Sequence, residues 1–278
     1  MTSHDRIPLA GVIGTPVAHS KSPRIFRHWL ARFGVRGHYI PMDVAEQDLE
    51  TALRALPRLG FVGVNVTIPH KEHVLEIADL VSDRAALTGS ANTLVFRDDG
   101  MVHADSTDGH GFMENLRSNV PDWDPMQGPA AIFGAGGAAR AVVASLLSAG
   151  AEEVRLSNRT RARGEILAKE FGAKVRIHDW NEAGDMLKGA RTVVNATSLG
   201  MVGHEKLQVP LGELSDGAVV TDLVYAPLET ELLAEARRIG CQTVDGLGML
   251  LFQAAPGFER WFGVAPHVDD RLRQAVLS

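Results

Sequence analysis

The feature that most constrains the fold is a glycine-rich turn in mid-chain. An apolar run at 130–133 precedes Gly134 and Gly136, and residues 137–140 open a helical pattern. Gly134 permits a tight bend, and Gly136 would let the backbone approach a pyrophosphate without a Cβ in the way. The following helix would offer free N–H groups and its positive dipole end to phosphate. The pattern predicts a dinucleotide-binding turn. Structural turns between a strand and a helix carry similar glycines.

The sequence after the turn favours the nucleotide interpretation. A helical stretch ends at Gly150, and residues 154–156 form the next strand pattern. About two dozen residues after Gly134 come Asn158 and Arg159, where an NAD enzyme carries an acidic residue that binds the ribose. An arginine at this point suits a ribose 2′-phosphate instead. We therefore predict that the cofactor is NADP.

Length, composition and charge exclude several classes of protein. The 278 residues, 45% of them hydrophobic, are enough for about two globular domains. The net charge of −6 argues against a nucleic-acid partner, and the single cysteine, Cys241, excludes internal disulfides and cysteine-rich metal sites. Residues 1–14 lack a signal-peptide pattern, and no apolar run approaches the length of a membrane span. We expect a cytoplasmic protein with no membrane partner.

Strand and helix patterns alternate throughout, which predicts an α/β fold with two domains. Residues 1–107 plus 247–278 are predicted to form the substrate domain, and residues 108–246 a Rossmann-type NADP-binding domain. The last helical stretch, Met249–Phe262, has no strand after it and is expected to pack back on the first domain. The predicted elements of the first domain are strands at 9–13, 38–44 and 63–66, helices from Ser22, Asp48 and Pro69, and a hairpin over 91–104.

Two serines flank Lys21 where a helix is predicted to begin. Hydroxyl donors beside the free N–H groups of a helix N-terminus make a suitable carboxylate site, so Ser20 and Ser22 are candidate substrate ligands. The alternative is that Ser22 only caps its helix, with Pro23 at the first helical position. Capping does not account for Ser20.

A second polar group follows the strand at 63–66. Asn65 and Thr67 lie at its carboxyl end, where ligands bind in open α/β sheets, and Lys71 is predicted in the first turn of the next helix. A lysine there opposes the helix dipole, and a carboxylate from Asp105 or Asp108 would compensate it. Such a pair would serve proton transfer, whereas a solvated lysine is the alternative.

The sequence gives little support for other catalytic chemistry. His70 and His73 lie three residues apart, but a third ligand at metal spacing is missing, so no metal site is predicted. The chain also has no Gly-x-Ser-x-Gly elbow, which argues against acyl transfer by that route.

Taken together, these segments resemble the shikimate dehydrogenase family, which uses NADP in aromatic amino-acid biosynthesis. The resemblance runs over nearly the whole chain and is carried by segments 14–23, 65–72, 92–93, 107–109, 134–140, 158–160, 195–201, 222–225 and 246–253. It implies reversible reduction of 3-dehydroshikimate to shikimate, with Lys71 and Asp108 as the catalytic pair.

The resemblance also implies the binding residues. The substrate ligands would be Ser20, Ser22, Asn65, Thr67, Asn92, Tyr225 and Gln253. The cofactor would be held by Gly134, Gly136, Gly137, Ala138, Asn158, Arg159, Thr160, Arg163, Thr197, Ser198, Met201 and Gly246. The substrate partner would be a small anionic polyol, and the chain would be a monomer or homodimer.

Three residues depart from the family pattern. Phe26 stands where the family usually has histidine, Ser90 precedes Ala91 in place of the usual alanine, and Ser106 replaces the asparagine before Thr107. Two alternatives therefore stay open. One is a quinate/shikimate dehydrogenase-like paralogue that acts on a related cyclic hydroxy acid. The other is a non-catalytic NADPH-binding protein.

Overall fold

The computed structural model describes residues 7–278, and its strands form two six-stranded sheets. Residues 1–6, which belong to the segment searched for a signal peptide, lie outside the described residues. The chain divides into two compact units. The first runs to Thr107 and resumes at Leu251–Ser278, and the second is Asp108–Leu250. The α/β fold predicted from the alternating patterns is confirmed, with the C-terminal helices in the first unit.

The first unit contains a mixed sheet. Its strands are β1 (Leu9–Gly14), β2 (His38–Asp43), β3 (Phe61–Val66), β4 (Leu80–Val81), β5 (Thr93–Phe96) and β6 (Val102–Asp105). They lie in the order β2-β1-β3-β5-β6-β4, and β5 runs antiparallel to both β3 and β6. The carboxyl end of β3 therefore lies beside the start of β5 and the end of β6, with Asn65 opposite Thr93 and Thr93 opposite Asp105. This register places the polar residues of three chain segments together.

The helices of the first unit differ from prediction in one place. They are α1 (Ser22–Phe33), α2 (Leu49–Ala55), α3 (Val74–Ile77) and α4 (Asp83–Thr88). The helix expected to open at Pro69 is wrong, because residues 68–73 form turns and α3 has only 4 residues. Val81, farther along the same segment, lies in β4 and is exposed. Pro69 and the polar residues at 67–73 leave too few apolar positions for a longer helix.

The second unit is a parallel, doubly wound sheet. Its strands are β7 (Ala130–Phe133), β8 (Val154–Ser157), β9 (Val175–His178), β10 (Thr192–Asn195), β11 (Val219–Asp222) and β12 (Gln242–Val244). The order β12-β11-β10-β7-β8-β9 reverses direction between β7 and β10. Ligands of such sheets bind outside the carboxyl ends of the strands at this switch point. The predicted glycine turn follows β7 and so lies there.

The helices of the second unit follow its strands. They are α5 (Asp108–Asn119), α6 (Gly137–Ser148), α7 (Arg161–Phe171) and α8 (Glu231–Ile239). Helix α9 (Leu247–Phe262) passes from the second unit into the first, and α10 (Asp270–Leu277) ends the chain. In the first unit, α10 docks on α1, since Leu272 and Val276 are fully buried and the Trp29 indole N–H donates to the His267 carbonyl at 3.2 Å. Within residues 7–278, every helix is too short or too polar to cross a membrane.

Candidate functional site

The first unit contains a buried cluster of amide and hydroxyl groups. The Asn92 Nδ2 group donates to Thr107 Oγ1 at 2.9 Å and to Gln253 Oε1 at 2.7 Å. The Thr107 backbone N–H donates to Asn92 Oδ1 at 2.8 Å, and its hydroxyl donates to the Gln253 carbonyl at 2.8 Å. Asn65 Nδ2 donates to the Asn92 carbonyl at 3.0 Å and to Thr93 Oγ1 at 3.2 Å. These hydrogen bonds hold three of the predicted substrate ligands, Asn65, Asn92 and Gln253, in fixed positions.

A backbone hydrogen bond places Lys71 beside this cluster. Its carbonyl accepts the Ala91 N–H at 2.8 Å, which fixes the Lys71 turn next to Asn92. The lysine side chain is half-buried. Its expected place in the first turn of a helix is wrong, since α3 begins only at Val74. Thr67, at the start of the same turn, is held by its backbone N–H, which donates to the Ile13 carbonyl at 2.9 Å.

In the serine loop before α1, the prediction that Ser22 caps the helix is wrong. Helix α1 begins at Ser22 with Lys21 at the N-cap position, so Ser22 is the first helical residue and does not cap the helix. The Ser22 backbone N–H donates instead to Ser20 Oγ at 3.3 Å. The Lys21 ammonium donates to the Val276 carbonyl at 3.3 Å, at the end of α10. Ser20 is half-buried and Ser22 is buried, so both remain at the start of the helix.

One aspartate ends β6 and another begins α5, and the structure distinguishes them. Asp105 is 1% exposed and pairs with Arg84 at 2.6 Å and Arg260 at 2.7 Å, while the Ser82 hydroxyl donates to it at 2.6 Å. Burial alone would raise the pKa of Asp105, but these donors lower it to about 2. The charge of Asp105 is therefore already compensated within the first unit. Asp108 is buried at the first position of α5, in the second unit.

The two histidines near Lys71 do not converge on a common point. His70 is fully buried, and its Nε2 atom lies 2.7 Å from the Val44 carbonyl. His73 is partly exposed and its nearest acidic neighbour is Glu76, at 4.0 Å. Among residues 7–278, no group of three or more His, Cys, Asp or Glu side chains is placed to hold a metal ion.

In the second unit, the glycine turn has the geometry of a cradle. Gly134 has φ +108°, and a Cβ there would meet the Ala196 carbonyl at 3.1 Å. A Cβ at Gly136 would meet nothing within 4 Å, so the backbone is open to a ligand at this point. Helix α6 begins at Gly137, and its first turn includes Ala138. The open face, the free helix end and the switch-point position fit a pyrophosphate group.

The loop after β8 and the first turn of α7 each present an arginine to solvent. Asn158 Nδ2 donates to the Thr160 carbonyl at 2.8 Å and closes the loop. Arg159 and Arg163 are exposed, and in the described part of the chain neither has an ion pair. Arg161, between them, pairs with both Glu165 and Asp179. Arg159 and Arg163 therefore remain available for a ribose phosphate, while Arg161 does not.

The predicted nicotinamide-side residues lie on two loops joined by a polar network. Asn195 Oδ1 accepts the Thr197 hydroxyl at 2.7 Å, and Asn195 Nδ2 donates to Asp222 Oδ1 at 3.0 Å. The same carboxylate accepts the Val224 N–H at 2.9 Å and the Thr230 hydroxyl at 2.7 Å. Burial raises the pKa of Asp222, and these neutral donors offset only part of that effect. The network fixes the loops on which Thr197 and Tyr225 lie.

The remaining predicted residues of this region differ in character. Ser198 and Met201 are exposed on the 196–202 loop, and Tyr225 is half-buried, with a pKa raised by burial. A Cβ at Gly246 would lie 2.3 Å from the Leu223 carbonyl, so close packing alone requires glycine there. The sequence predicted no role for Tyr39 or Thr107, each of which contacts a predicted site residue, nor for Asp222, which binds Asn195 and through it the loop of Thr197. Polar residues adjacent to a site motif could have indicated Thr107 and Asp222, whereas Tyr39 has no such neighbour in the sequence.

Comparison with known families identifies both parts of the chain. The family described as "Shikimate dehydrogenase substrate binding domain" matches residues 12–94, and the one described as "Shikimate / quinate 5-dehydrogenase" matches residues 121–218. A protein of Cereibacter sphaeroides named "Shikimate dehydrogenase (NADP(+))" is 64% identical over 278 residues, which is 100% of both chains.

Solved structures are similar over the same length. The shikimate 5-dehydrogenase of Thermus thermophilus, in complex with NADP(H) and shikimate, is 36% identical with a TM-score of 0.87, over 98% of this chain and 99% of that one. The quinate dehydrogenase of Corynebacterium glutamicum, in complex with NAD, is 32% identical with a TM-score of 0.90, over 97% and 98% of the two chains.

Proposed function

Because the chain belongs to the shikimate dehydrogenase family, we propose that it catalyses the NADP-dependent, reversible reduction of 3-dehydroshikimate to shikimate. The observation that carries the proposal is the buried amide and hydroxyl cluster beside a single lysine in the first unit. A small polyol with one carboxylate matches such a donor and acceptor set. The 64% identity to a protein named for shikimate favours that acid over quinate.

The substrate is proposed to bind in the first unit. Ser20, Ser22 and Gln253 would hold its carboxylate, and Asn65, Thr67, Asn92 and Tyr225 would contact its ring hydroxyls or its carboxylate. The hydrogen bonds that fix Asn65, Asn92 and Gln253 support this role, because a prebuilt cluster needs little ordering when the ligand binds.

Lys71 is proposed to exchange the proton of the reacting hydroxyl, with Asp108 orienting the lysine. The ion pairs of Asp105 with Arg84 and Arg260 support Asp108, rather than Asp105, as that partner. General acid–base groups contribute on the order of a hundredfold to ten-thousandfold in rate. The bound cofactor would supply hydride-transfer chemistry at the ring carbon that carries this hydroxyl.

The cofactor is proposed to lie at the switch point of the second unit. Gly134, Gly136, Gly137 and Ala138 would hold the pyrophosphate, and the open face at Gly136 supports this. Asn158, Arg159, Thr160 and Arg163 would bind the ribose phosphate. Thr197, Ser198, Met201 and Gly246 would line the nicotinamide pocket. These assignments make residues 108–246 the NADP-binding domain and residues 1–107 plus 247–278 the substrate domain. A cytoplasmic location and a monomeric or homodimeric state complete the proposal.

A steady-state assay of shikimate and quinate, each with NADP and NAD, tests the function. We expect the highest kcat/KM with shikimate and NADP. Preferred turnover of quinate would favour the paralogue, and cofactor binding without turnover of either acid would favour a non-catalytic protein.

Lys71→Ala should lower kcat by about a hundredfold or more. Lys169→Ala, which removes an exposed lysine of α7, is the matched control and should leave kcat unchanged. A Lys71→Ala enzyme with half the original kcat would refute the proton-transfer role.

A further inference from the structure

Tyr39 occupies a position that the proposed function does not use. It lies on β2, is 8% exposed, and its hydroxyl donates to Asn65 Oδ1 at 2.7 Å. Burial raises the pKa of the Tyr39 hydroxyl well above its ordinary value, and a hydrogen bond with the Ser22 side chain offsets only part of that effect. The phenol therefore stays protonated at neutral pH and can donate a hydrogen bond.

The contacts of Asn65 fix the orientation of its amide. The Asn92 carbonyl can only accept a hydrogen bond, so the atom facing it at 3.0 Å must be Nδ2. The second N–H of this group is directed at Thr93 Oγ1, at 3.2 Å. Both donors of the amide are thus committed within the protein. The Tyr39 hydroxyl occupies one lone pair of Oδ1, which leaves the other lone pair as the remaining hydrogen-bonding capacity of Asn65.

We propose that Tyr39 is a positioning residue that keeps Asn65 an acceptor-only contact, so that the site selects a ring hydroxyl that donates to Asn65. This inference rests on the proposed function and names the chemistry that Asn65 recognises. A carbonyl oxygen cannot donate. Asn65 therefore binds a hydroxyl that is present in both the alcohol and the ketone form of the substrate, and not the reacting oxygen itself.

The aromatic residues around Tyr39 support this role. The Phe26 ring stacks on the Tyr39 ring with centroids 3.8 Å apart and planes at 11°. Phe26 is fully buried among Trp29, Phe258 and Trp261. The residue that departs from the family's histidine is thus a core side chain that contacts Tyr39. Phe26 would therefore affect substrate binding indirectly, by setting the position of the Tyr39 hydroxyl.

The test compares shikimate with two deoxy analogues, each of which lacks one of the two ring hydroxyls that do not react. Tyr39→Phe keeps the stacked ring and removes only the hydroxyl. We expect kcat/KM for shikimate to fall about threefold to tenfold, the range for one net hydrogen bond, mainly through KM. For one of the two analogues the same substitution should have no effect, because the hydroxyl that Asn65 binds is already missing. An equal loss for all three substrates, or no loss for any, would overturn the proposal.

Two further variants separate positioning from stability. Trp29→Phe removes another buried aromatic hydrogen bond of the same cluster, to the His267 carbonyl. It should lower Tm without changing the ratio of kcat/KM values between shikimate and the analogue. In an Asn65→Ala background, Tyr39→Phe should leave that ratio unchanged, since coupled residues are not additive. An additive effect would show that Tyr39 acts without Asn65. Turnover of shikimate by the unaltered enzyme reports the proposed function separately.

Discussion

The two units build their predicted binding groups in opposite ways. In the first unit, Asn65 and Asn92 are 5% and 3% exposed, and they are already bonded to protein partners. In the second unit, Gly136, Arg159 and Arg163 are exposed, and the cradle is made of backbone and of charge directed at solvent. In a prebuilt side-chain cluster, the same residues stabilise the fold and bind the ligand. In a backbone cradle with exposed arginines, the residues that bind the ligand contribute little to the stability of the fold.

Two buried aspartates repeat this contrast on a smaller scale. Asp105 ends β6 and Asp222 ends β11, and they are 1% and 0% exposed. Arginines on α4 and α9 neutralise Asp105 and lower its pKa to about 2, whereas Asp222 has only neutral donors and a pKa raised by burial. Equal burial thus gives opposite shifts, because charged partners overcome desolvation and neutral donors do not. The contribution of the two groups to stability should change with pH in opposite directions.

The largest effect is expected from Asn92→Ala, which breaks the side-chain cluster at its centre. It removes the hydrogen bonds that Asn92 makes with the Thr107 N–H and the Gln253 side-chain oxygen, so the free energy of unfolding should fall by about 3 kcal/mol. The KM for shikimate should rise in the same variant. Chemical denaturation and steady-state kinetics measure the two effects. A large loss of activity with unchanged stability would contradict the coupling that we assign to the first unit.

Arg159→Ala tests the opposite behaviour in the second unit. Loss of a hydrogen bond to a charged group should weaken the preference for NADP over NAD by about 1.5–3 kcal/mol, or roughly tenfold or more in relative kcat/KM. NAD turnover and the free energy of unfolding should change little, because Arg159 has no ion pair in the described part of the chain.

Arg161→Ala is the matched control for Arg159. It removes an exposed arginine two residues along the chain, at the start of α7, whose partners are Glu165 and Asp179. The ratio of NADP to NAD turnover should stay constant in this variant. Equal losses with both cofactors in Arg159→Ala would mean that Arg159 supports the fold or binds the adenine. A preference of the unaltered enzyme for NAD would overturn the cofactor assignment.

The pH dependence of stability tests the two aspartates. The pKa of Asp105 is lower in the folded protein, so its contribution is present above the unfolded pKa and is lost as pH falls towards about 2. The stability lost through Asp105→Asn should therefore be about 2 kcal/mol at neutral pH and should shrink below about pH 4.

Asp222→Asn should show the reverse trend. The pKa of Asp222 is raised in the folded protein, so its contribution is present below the unfolded pKa and is lost as pH rises through the folded pKa. The advantage of the unaltered protein over this variant should therefore grow as pH falls. Urea unfolding of both variants over a pH series measures the two slopes. Slopes of the same sign would contradict the assignment of charged and neutral partners.

The strands and the glycine turn could be predicted because their signals are local. Apolar runs and glycines mark β7 and Gly134 without knowledge of the rest of the chain. The helix after Pro69 was wrong, because the packing of 67–73 against Ile13 and Ala91 decides that segment. The partners of Asp105 also could not be predicted, since Arg84 and Arg260 meet it only through the register of β6, α4 and α9. Side-chain networks depend on such distant contacts.

The smallest effect is expected in the serine loop, where the structure reverses the capping prediction. Ser20 Oγ accepts the Ser22 N–H, so Ser20→Ala should lower the free energy of unfolding by about 0.5–1 kcal/mol and raise the KM for shikimate. Ser22 does not cap α1, so Ser22→Ala should change stability by less than about 0.5 kcal/mol while still raising KM. Thermal unfolding of the two matched variants measures the two effects on stability.

If Ser22→Ala lowers stability more than Ser20→Ala does, Ser22 stabilises the start of α1 after all. If KM is unchanged in both, the carboxylate lies elsewhere. If Ser20→Ala raises KM without lowering stability, binding and stability are separate even in the first unit, and the contrast between the units fails at Ser20.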